Sequence, residues 1–520
     1  MDTCKKNNRR SAKRREDDFQ EKTWRSGKKW TSSTLSLFLF VSLIFIAAFI
    51  YWLDISVISG SPLLEAILTT TTKTSNKTLK HHQPFEYTLN CSDQVLARKC
   101  RINNAISPPN QSSDSSGGMC PDYFQWIEQD LRWWKKTGIS REMLDGAEDF
   151  AHFRLLIVKG KVYVERFKKS FQTRDLFTIW GILQLMRLYP GKLPDLELLF
   201  NCNDGVVINK NDYQGPDATW PPPVFHYCGD KESLDIVFPD WTFWGWAETN
   251  IRPWEGILKD IKEGNKRTKW KDRVPYAYWK GNPRVSYSRA DLMKCNASEW
   301  NSRLYVQEWD KEILQGYKNS KLEDQCTHRY KIFVEGAAWS VSDKYILACD
   351  STTLMVDPYF YDFFLRSLMP LQHYWPINTN RKCTDLKFAV DWGNSHTRQA
   401  KAIGKEGSKF IHESLKMKYV YDYMFHLLSE YAKLLKFEPK VPPGVKEMCS
   451  EKLACSSDGL WKKFMVESMV ISPSETLPCT RPPPFDDLSL QAFFQKKDRI
   501  KQEVENLESE YLEKLNKKQQ

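Results

Sequence analysis

Several familiar catalytic signatures are absent from this 520-residue sequence. It has no glycine-rich loop followed by Lys-Ser or Lys-Thr, which excludes a P-loop nucleotide site. It has no His-Glu-x-x-His and no Gly-x-Ser-x-Gly, which excludes the common zinc peptidases and serine hydrolases. Beyond residue 53 it also has no Asp-x-Asp pair, a spacing that often holds a divalent cation against a diphosphate. These absences favour a metal-free site in which Arg and backbone N–H groups neutralise any phosphate ligand.

The positive charge of the chain is concentrated at one end. The formal net charge is +11, but residues 1–33 alone hold eleven Lys or Arg against five Asp or Glu. The remainder is nearly balanced, which argues against the continuous basic surface that nucleic acids require. The 20 Trp residues are unusual in number. Flat rings with polar edges suit sugar faces, although core packing explains most of them.

An uncharged apolar run follows the basic leader. Residues 34–53 reach the roughly 20 residues that cross a bilayer core as a helix, and no small-residue cleavage site follows closely. We therefore predict a retained transmembrane signal-anchor at 34–53. The basic cluster makes 1–33 a cytosolic tail and places the rest of the chain in the lumen, in type II topology. Residues 54–118, rich in Ser, Thr, Asn and Pro, form a predicted luminal stem.

Sequons and cysteines agree with a luminal body. The four Asn-x-Ser/Thr glycosylation sequons all follow the predicted anchor, and they begin at Asn76, Asn90, Asn110 and Asn296. Of 13 Cys only Cys4 precedes it, which leaves an even twelve for an oxidising compartment. Connectivity stays open from spacing alone: Cys449 with Cys455 would close a small loop, and Cys326 with Cys349 would brace one structural unit.

Residues 119–440 alternate between strand and helix patterns, which predicts an α/β catalytic domain. The predicted elements are a hairpin over 155–164, helices over 175–189, 337–348 and 411–435, and strands at 196–200, 277–281, 330–334 and 353–356. Two such halves indicate paired Rossmann-like domains that face a cleft. In the C-terminal extension 441–520, apolar residues at 500, 504, 507, 511 and 515 predict an amphipathic helix, with coiled-coil pairing as a minor alternative.

Asp204 is the first candidate for chemistry. It follows the predicted strand 196–200, and ligands of open α/β sheets bind beyond the carboxyl ends of strands. A carboxylate at this place would deprotonate an acceptor hydroxyl. Position alone favours a turn role, because Asn201-Cys-Asn-Asp-Gly205 is also good turn chemistry. Asp240 is a second, less favoured base.

Two later segments carry candidate anion-binding groups. One run lies between a predicted strand and a predicted helix, and it consists of Gly336, Ala337, Ala338, Trp339 and Ser340. Small residues there let backbone N–H groups approach a diphosphate, although strand–helix packing explains the run equally well. Arg289 would clamp phosphates bidentately, the alternative being a solvated surface group. The aromatic run 239–246 is either a sugar-stacking wall or core, and His226 and Arg366 are read as structural.

The order of these segments resembles a known family. The segments are Leu193-Pro-Asp-Leu-Glu-Leu198, Asn201-Cys-Asn-Asp204, Pro239-Asp-Trp-Thr-Phe-Trp244, Ala277-Tyr-Trp-Lys-Gly281 with Arg289, and Gly336-Ala-Ala-Trp-Ser340 with Cys349. Over about 120–435 the chain resembles glycosyltransferase family 90, which includes Rumi-type protein O-glucosyltransferases and fungal capsule-associated xylosyltransferases. The anchored, Trp-rich form is similar to plant-type members.

The resemblance implies a GT-B-like fold of two Rossmann-like domains, a UDP-sugar donor, inversion at the anomeric carbon and no essential metal. By motif it implies that Asp204 is the catalytic base and that Arg289 binds the donor diphosphate. It further implies a donor loop at Gly336–Ser340, a donor contact near Asn282, and a family disulfide between Cys326 and Cys349. A wall between donor and acceptor overlaps the segment that contains Trp244, Trp246 and Trp254.

Two departures from the resemblance limit the expected function. Ser342 stands where Rumi-like proteins usually carry Arg, and residues 245–252 do not follow the Rumi pattern, which puts an EGF-type protein acceptor in doubt. We expect an inverting O-glycosyltransferase of the Golgi or endoplasmic-reticulum membrane that uses UDP-glucose or UDP-xylose and a protein acceptor. The alternatives are a polysaccharide-directed xylosyltransferase, an inactive lectin-like binding protein and a scaffold that recruits partners through its tails.

Overall fold

The computed structural model describes residues 86–92, 100, 117–215 and 219–519. The anchor predicted at 34–53 and the sequons at Asn76 and Asn110 lie outside these residues. Within the described ranges, no helix is both long enough and apolar enough to cross a membrane. The sequons at Asn90 and Asn296 are described, and both Asn side chains are exposed.

The described residues form strands and helices in alternation. The strands are β1 (Phe153–Val158), β2 (Lys161–Arg166), β3 (Leu196–Phe200), β4 (Val224–His226), β5 (Ile236–Val237), β6 (Val274–Gly281), β7 (Ser302–Val306), β8 (His328–Phe333), β9 (Thr352–Val356), β10 (Trp375–Ile377) and β11 (Glu447–Met448). The α-helices are α1 (Trp126–Leu131), α2 (Arg141–Asp145), α3 (Arg174–Leu188), α4 (Trp254–Arg267), α5 (Tyr287–Leu292), α6 (Trp309–Leu314), α7 (Asp343–Leu347), α8 (Lys382–Ser395), α9 (Thr397–Ser414), α10 (Met417–Leu434), α11 (Ser450–Cys455), α12 (Gly459–Glu467) and α13 (Asp487–Gln519).

The first sheet is mixed, with strand order β11-β2-β1-β3-β4-β5. The hairpin β1–β2 confirms the predicted turn, since Lys159 and Gly160 both have positive φ, as a two-residue hairpin turn requires. Strand β1 runs antiparallel to β3, whereas β3, β4 and β5 are parallel. Every residue of β3 is buried, because the strand is central in the sheet and covered on both faces. This half is therefore only partly Rossmann-like.

The second sheet is wholly parallel, with strand order β10-β9-β8-β6-β7. The first strand of this half, β6, lies between β7 and β8, so the chain adds strands on one side of β6 and then on the other. Open parallel sheets bind ligands at such a switch point, beyond the carboxyl ends of the two strands. The second half thus confirms the predicted Rossmann-like arrangement, and its switch point lies between β6 and β8.

Two of the predicted helices differ from the structure. The helix predicted over 337–348 begins only at α7, and residues 337–342 form a loop. The helix predicted over 411–435 is two helices, α9 and α10, separated at Lys416, whose backbone is extended. The predicted C-terminal helix is α13, which packs within the chain: Val504 is buried, and the Tyr511 ring lies 5.0 Å from the Phe388 ring of α8.

Five disulfides link distant parts of the described chain. They are Cys91–Cys455, Cys100–Cys449, Cys120–Cys479, Cys295–Cys383 and Cys326–Cys349. The family pair is confirmed, but the loop proposed between Cys449 and Cys455 is wrong, because each of them binds a cysteine of the predicted stem. A disulfide of this kind contributes about 2–4 kcal/mol of stability. The described stem residues are therefore fastened to the folded body.

Candidate active site

Asp204 lies four residues beyond the carboxyl end of β3 and is partly exposed. Its carboxylate is 2.9 Å from the Nη2 atom of Arg174, the first residue of α3. Arg174 is itself buried and donates a second hydrogen bond, from Nη1, to the backbone oxygen of Cys202 at 3.0 Å. The sulfur of Cys228, which follows β4, lies 3.5 Å from the backbone oxygen of Asp204. Neighbouring elements therefore fix both the backbone and the side chain of Asp204.

Two aromatic rings hold Arg174 in place. Its guanidinium lies 4.5 Å from the ring centre of Trp241 and 5.1 Å from that of Phe171. Cation–π contacts of this geometry fix a guanidinium more firmly when it is shielded from water. Arg174 was not predicted as a site residue, because nothing in its local sequence indicates a partner that follows 30 residues later. Only the fold joins the start of α3 to the end of β3.

Arg289 lies at the switch point of the second sheet. Its Nε donates to the backbone oxygen of Glu335 at 2.8 Å, and its Nη2 donates to the Oγ of Ser340 at 2.9 Å. The Ser340 hydroxyl is also 2.8 Å from that of Ser342. Burial lowers the pKa of Arg289 to about 10, and the negative charge of Asp204 opposes that shift. Arg289 is therefore fully charged at neutral pH and lies within electrostatic reach of Asp204.

The local sequence explains how the residues that are expected to contact the donor are positioned. Asn282 directly follows β6, and its Oδ1 accepts from the backbone N–H of Arg284 at 3.0 Å. Ser286 caps α5 by accepting from the backbone N–H of Arg289 at 3.3 Å. A Cβ atom at Gly336 would lie 3.2 Å from the Trp339 backbone oxygen and 3.6 Å from Nη2 of Arg289. Glycine thus leaves room for the loop to close around the guanidinium.

The carboxyl ends of the two sheets meet at Trp339. Its ring, on the loop after β8, contacts the rings of His226, Tyr227 and Trp241 at centroid distances of 6.1, 5.7 and 6.2 Å. Those three residues follow or end strands of the first sheet. Burial lowers the pKa of His226 to about 4, so its ring is neutral and acts as packing, as predicted. Trp339 and Ala338 are buried, which leaves Gly336 and Ala337 as the accessible part of the predicted donor loop.

Asp240 is not available as a base. Its side chain is buried, and its Oδ2 lies 3.0 Å from the Nζ of Lys344 in α7, which is also buried. Its Oδ1 accepts from the backbone N–H of Thr242 at 2.8 Å. This buried ion pair joins the two halves of the protein, because Asp240 follows β5 and Lys344 lies beyond β8. Asp204 is therefore the accessible one of the two candidate carboxylates.

Of the three rings predicted to form the wall between donor and acceptor, only that of Trp246 is accessible. Trp244 and Trp254 are fully buried, and their indole N–H groups donate to Tyr421 Oη at 3.0 Å and to the Leu415 backbone oxygen at 2.7 Å. Neither can stack on a ligand, because both rings are committed to the core. Trp246 is partly exposed and lies 5.4 Å from the Trp241 ring. Arg366 is structural as predicted, since it pairs with Asp130 through both carboxylate oxygens.

One cluster with ligand-like spacing is not a metal site. The ligand atoms of Cys120, His426 and Cys479 lie within 4.8 Å of one another. The two sulfurs, however, are bonded to each other, so neither can serve as a thiolate ligand. The Nε2 of His426 instead donates to the backbone oxygen of Cys479 at 2.7 Å.

Comparison with known proteins gives consistent matches. The family model described as Glycosyl transferase family 90 matches residues 115–508, beyond the predicted catalytic boundary at 440. Protein O-glucosyltransferase 1 of Homo sapiens is 30% identical over 344 residues, which cover 61% of this chain and 81% of that protein. Its counterpart in Bos taurus is 30% identical over 363 residues, covering 65% and 86%. O-glucosyltransferase rumi of Drosophila melanogaster is 26% identical over 351 residues, covering 63% and 81%.

Proposed function

This chain belongs to glycosyltransferase family 90, and from that premise we propose that it transfers glucose or xylose from a UDP donor to an acceptor hydroxyl with inversion at the anomeric carbon. The enzyme class itself, glycosyltransferase, follows from the family and from relatives that carry the name O-glucosyltransferase. Those names support glucose as the donor sugar, and xylose is the alternative.

The proposal depends above all on Asp204 and Arg289, which lie at the carboxyl ends of the two sheets and within electrostatic reach of each other. One group is an accessible carboxylate beyond β3, and the other is a buried cation at the switch point between β6 and β8. A single displacement needs a base on the acceptor side of the anomeric carbon and positive charge on the leaving-group side. Each sheet supplies one of these two groups.

The proposed reaction is one concerted substitution. The acceptor hydroxyl oxygen forms a bond to the anomeric carbon of the donor while its proton passes to the Asp204 carboxylate. On the opposite face, the bond between the anomeric carbon and the phosphate oxygen breaks, and the electron pair leaves with UDP. Arg289 and the backbone amides near Gly336 stabilise the growing charge on the diphosphate. Asp204 then releases the proton to solvent.

Arg289 supports diphosphate binding despite the departure at Ser342. Lys344, two residues further along, is committed to Asp240, so it cannot replace the Arg that Rumi-like proteins carry at 342. The Ser340 hydroxyl, which is paired with that of Ser342, instead accepts from Nη2 of Arg289 and so fixes its guanidinium. We propose that Arg289 and backbone N–H groups bind the diphosphate without a metal ion.

The cysteines support a place in the secretory pathway. Five disulfides within the described residues are typical of an oxidising compartment. The exposed sequons at Asn90 and Asn296 fit the same compartment. We propose a Golgi or endoplasmic-reticulum membrane location, with 34–53 as the anchor, 1–33 as a cytosolic tail and the catalytic body in the lumen.

We expect the purified full-length chain to release UDP from one of its proposed donors without a divalent cation. UDP-glucose and UDP-xylose are offered in separate reactions that contain EDTA, with and without acceptors, and UDP is measured by a coupled assay. Release that persists in EDTA identifies the donor and supports the metal-independent site. Release that depends on added Mn²⁺ or Mg²⁺ contradicts the metal-free part of the proposal. If the folded protein releases no UDP from either donor, the result favours the inactive binding protein.

A further inference from the structure

A second group of side chains lies beside the ion pair of Asp204 and Arg174 and has no part in the proposed chemistry. We call it the acceptor face, and it consists of Phe171, Gln172, Trp246 and Glu248. Phe171 and Gln172 precede α3, whereas Trp246 and Glu248 belong to the segment 245–252 that departs from the Rumi pattern. The Phe171 ring packs on the guanidinium of Arg174, which pairs with Asp204. The Trp246 ring packs on Trp241, the second ring against that guanidinium.

The apolar part of the acceptor face is a supported, accessible ring. The Phe171 side chain is 41% exposed although its ring lies 5.1 Å from the Arg174 guanidinium. Gln172 next to it has φ of 55°, a left-handed conformation that non-glycine residues rarely adopt and that is frequent at functional sites. This backbone lets the Gln172 side chain accept from the Trp246 indole N–H at 2.7 Å. The loop is thus held so that the Phe171 ring stays at the surface.

The polar part of the face is the Glu248 carboxylate. Its Oε2 accepts from the Thr173 hydroxyl at 2.9 Å, which fixes the carboxylate beside the start of α3. Burial raises the pKa of Glu248, and the charge of Arg174 is among the groups that oppose the shift. The Tyr317 hydroxyl donates to the Glu248 backbone oxygen at 2.9 Å. Because Tyr317 follows α6, this bond ties the acceptor face to the second half of the protein.

From this arrangement we infer that the acceptor is a saccharide, whose sugar ring stacks on Phe171 while its hydroxyls bind Glu248. A sugar ring has an apolar C–H face and hydroxyls around its rim, so it satisfies an exposed aromatic ring and a neighbouring carboxylate together. The inference rests on the proposed function and specifies the substrate class of the same site.

The test compares acceptors and variants of the full-length chain. Xylohexaose, cellohexaose, mannohexaose and a folded EGF-like domain are each added with the active donor, and UDP release above the acceptor-free rate is measured. Phe171→Ala and Glu248→Gln are each expected to raise the KM for the active oligosaccharide roughly 10-fold, from the loss of one stacking contact or one charge-assisted hydrogen bond. Acceptor-free UDP release is measured on the same preparations, so that a change in the KM for the acceptor is separated from a change in donor turnover.

Two matched variants serve as controls. Phe494→Ala removes a ring of similar exposure, 42%, on α13, and Glu447→Gln neutralises a half-buried carboxylate at the edge of the first sheet. Both should keep the wild-type KM. Three results would each overturn the inference while acceptor-free UDP release persists. They are an unchanged KM in Phe171→Ala and Glu248→Gln, faster UDP release with the EGF-like domain alone, and no faster UDP release with any oligosaccharide. Absence of UDP release under every condition would overturn the proposed function and this inference with it.

Discussion

Replacing Asp204 with Asn is expected to lower the transfer rate by roughly 10²–10⁴-fold, the usual contribution of a general base. The amide keeps the shape of the side chain but cannot take the acceptor proton. Because the buried guanidinium of Arg174 loses its charged partner but keeps its hydrogen bond to the Cys202 backbone oxygen, the variant should fold and should unfold at a lower temperature than the wild type. Initial rates of sugar transfer and thermal unfolding, measured on the same preparations, check both expectations.

Asp260→Asn is the matched control for this variant. Asp260 is also paired with an Arg, Arg252, and its side chain is 34% exposed against 35% for Asp204. The two carboxylates are equally exposed, but Arg252 is 41% exposed and Arg174 only 5%, so Asp260→Asn controls for the loss of an exposed carboxylate paired with Arg, and thermal unfolding reports the effect of the buried partner. Full activity in Asp204→Asn would refute the assignment of the base. Equal losses in both variants would show that the effect of Asp204→Asn is not specific to the site.

Replacing Arg289 with Gln is expected to lower kcat/KM for the donor by roughly 10²–10³-fold, the range found when one group that stabilises transition-state charge is removed. Gln retains a hydrogen-bond donor for Ser340 but lacks the charge that the leaving diphosphate needs. Arg289→Lys should recover part of the loss, since it restores the charge without the planar fork of donors. Donor kinetics at fixed acceptor concentration measure the effect.

Arg329→Gln provides the comparison for Arg289→Gln. Arg329 is also in the second half, packs on an aromatic ring at 5.1 Å, and donates to a side chain and a backbone oxygen. Its loss should leave donor kinetics unchanged. A wild-type kcat/KM in Arg289→Gln would mean that another cation binds the diphosphate.

Local patterns in the sequence predicted the strands best. Strands β3, β8 and β9 each end in apolar residues, and each lies within one or two residues of its predicted place. Helix α9 was predicted only in its last residues, because Gly404 and Gly407 lower helix propensity. A Cβ at Gly404 would lie 2.6 Å from the Ser351 backbone carbon, and one at Gly407 would lie 2.4 Å from the His373 backbone oxygen. Gly404 permits close packing on the start of β9 and Gly407 on the segment before β10, a tertiary reason that local sequence does not reveal.

The candidate site was predicted in part for the same reason. Asp204, Arg289 and Gly336 were found because motifs and strand ends identify them locally. Arg174 and Glu248 were missed, because their role depends on contacts between segments 30 to 75 residues apart. Burial of Trp244 and Trp254 likewise depends on α9 and α10, which cover them from far along the chain. A composition rich in Trp indicates sugar binding, but only packing decides which rings are accessible.

The configuration of the product tests the central claim most directly. The proposed donors carry an α-linked sugar, so one displacement assisted by Asp204 must give a β-linked product. Proton NMR of the first product formed by the wild-type chain, recorded before any anomeric exchange, distinguishes the two configurations by the coupling constant of the anomeric proton. A β-linked product agrees with the single displacement. An α-linked product would contradict it, because retention requires a different path and removes the role assigned to Asp204.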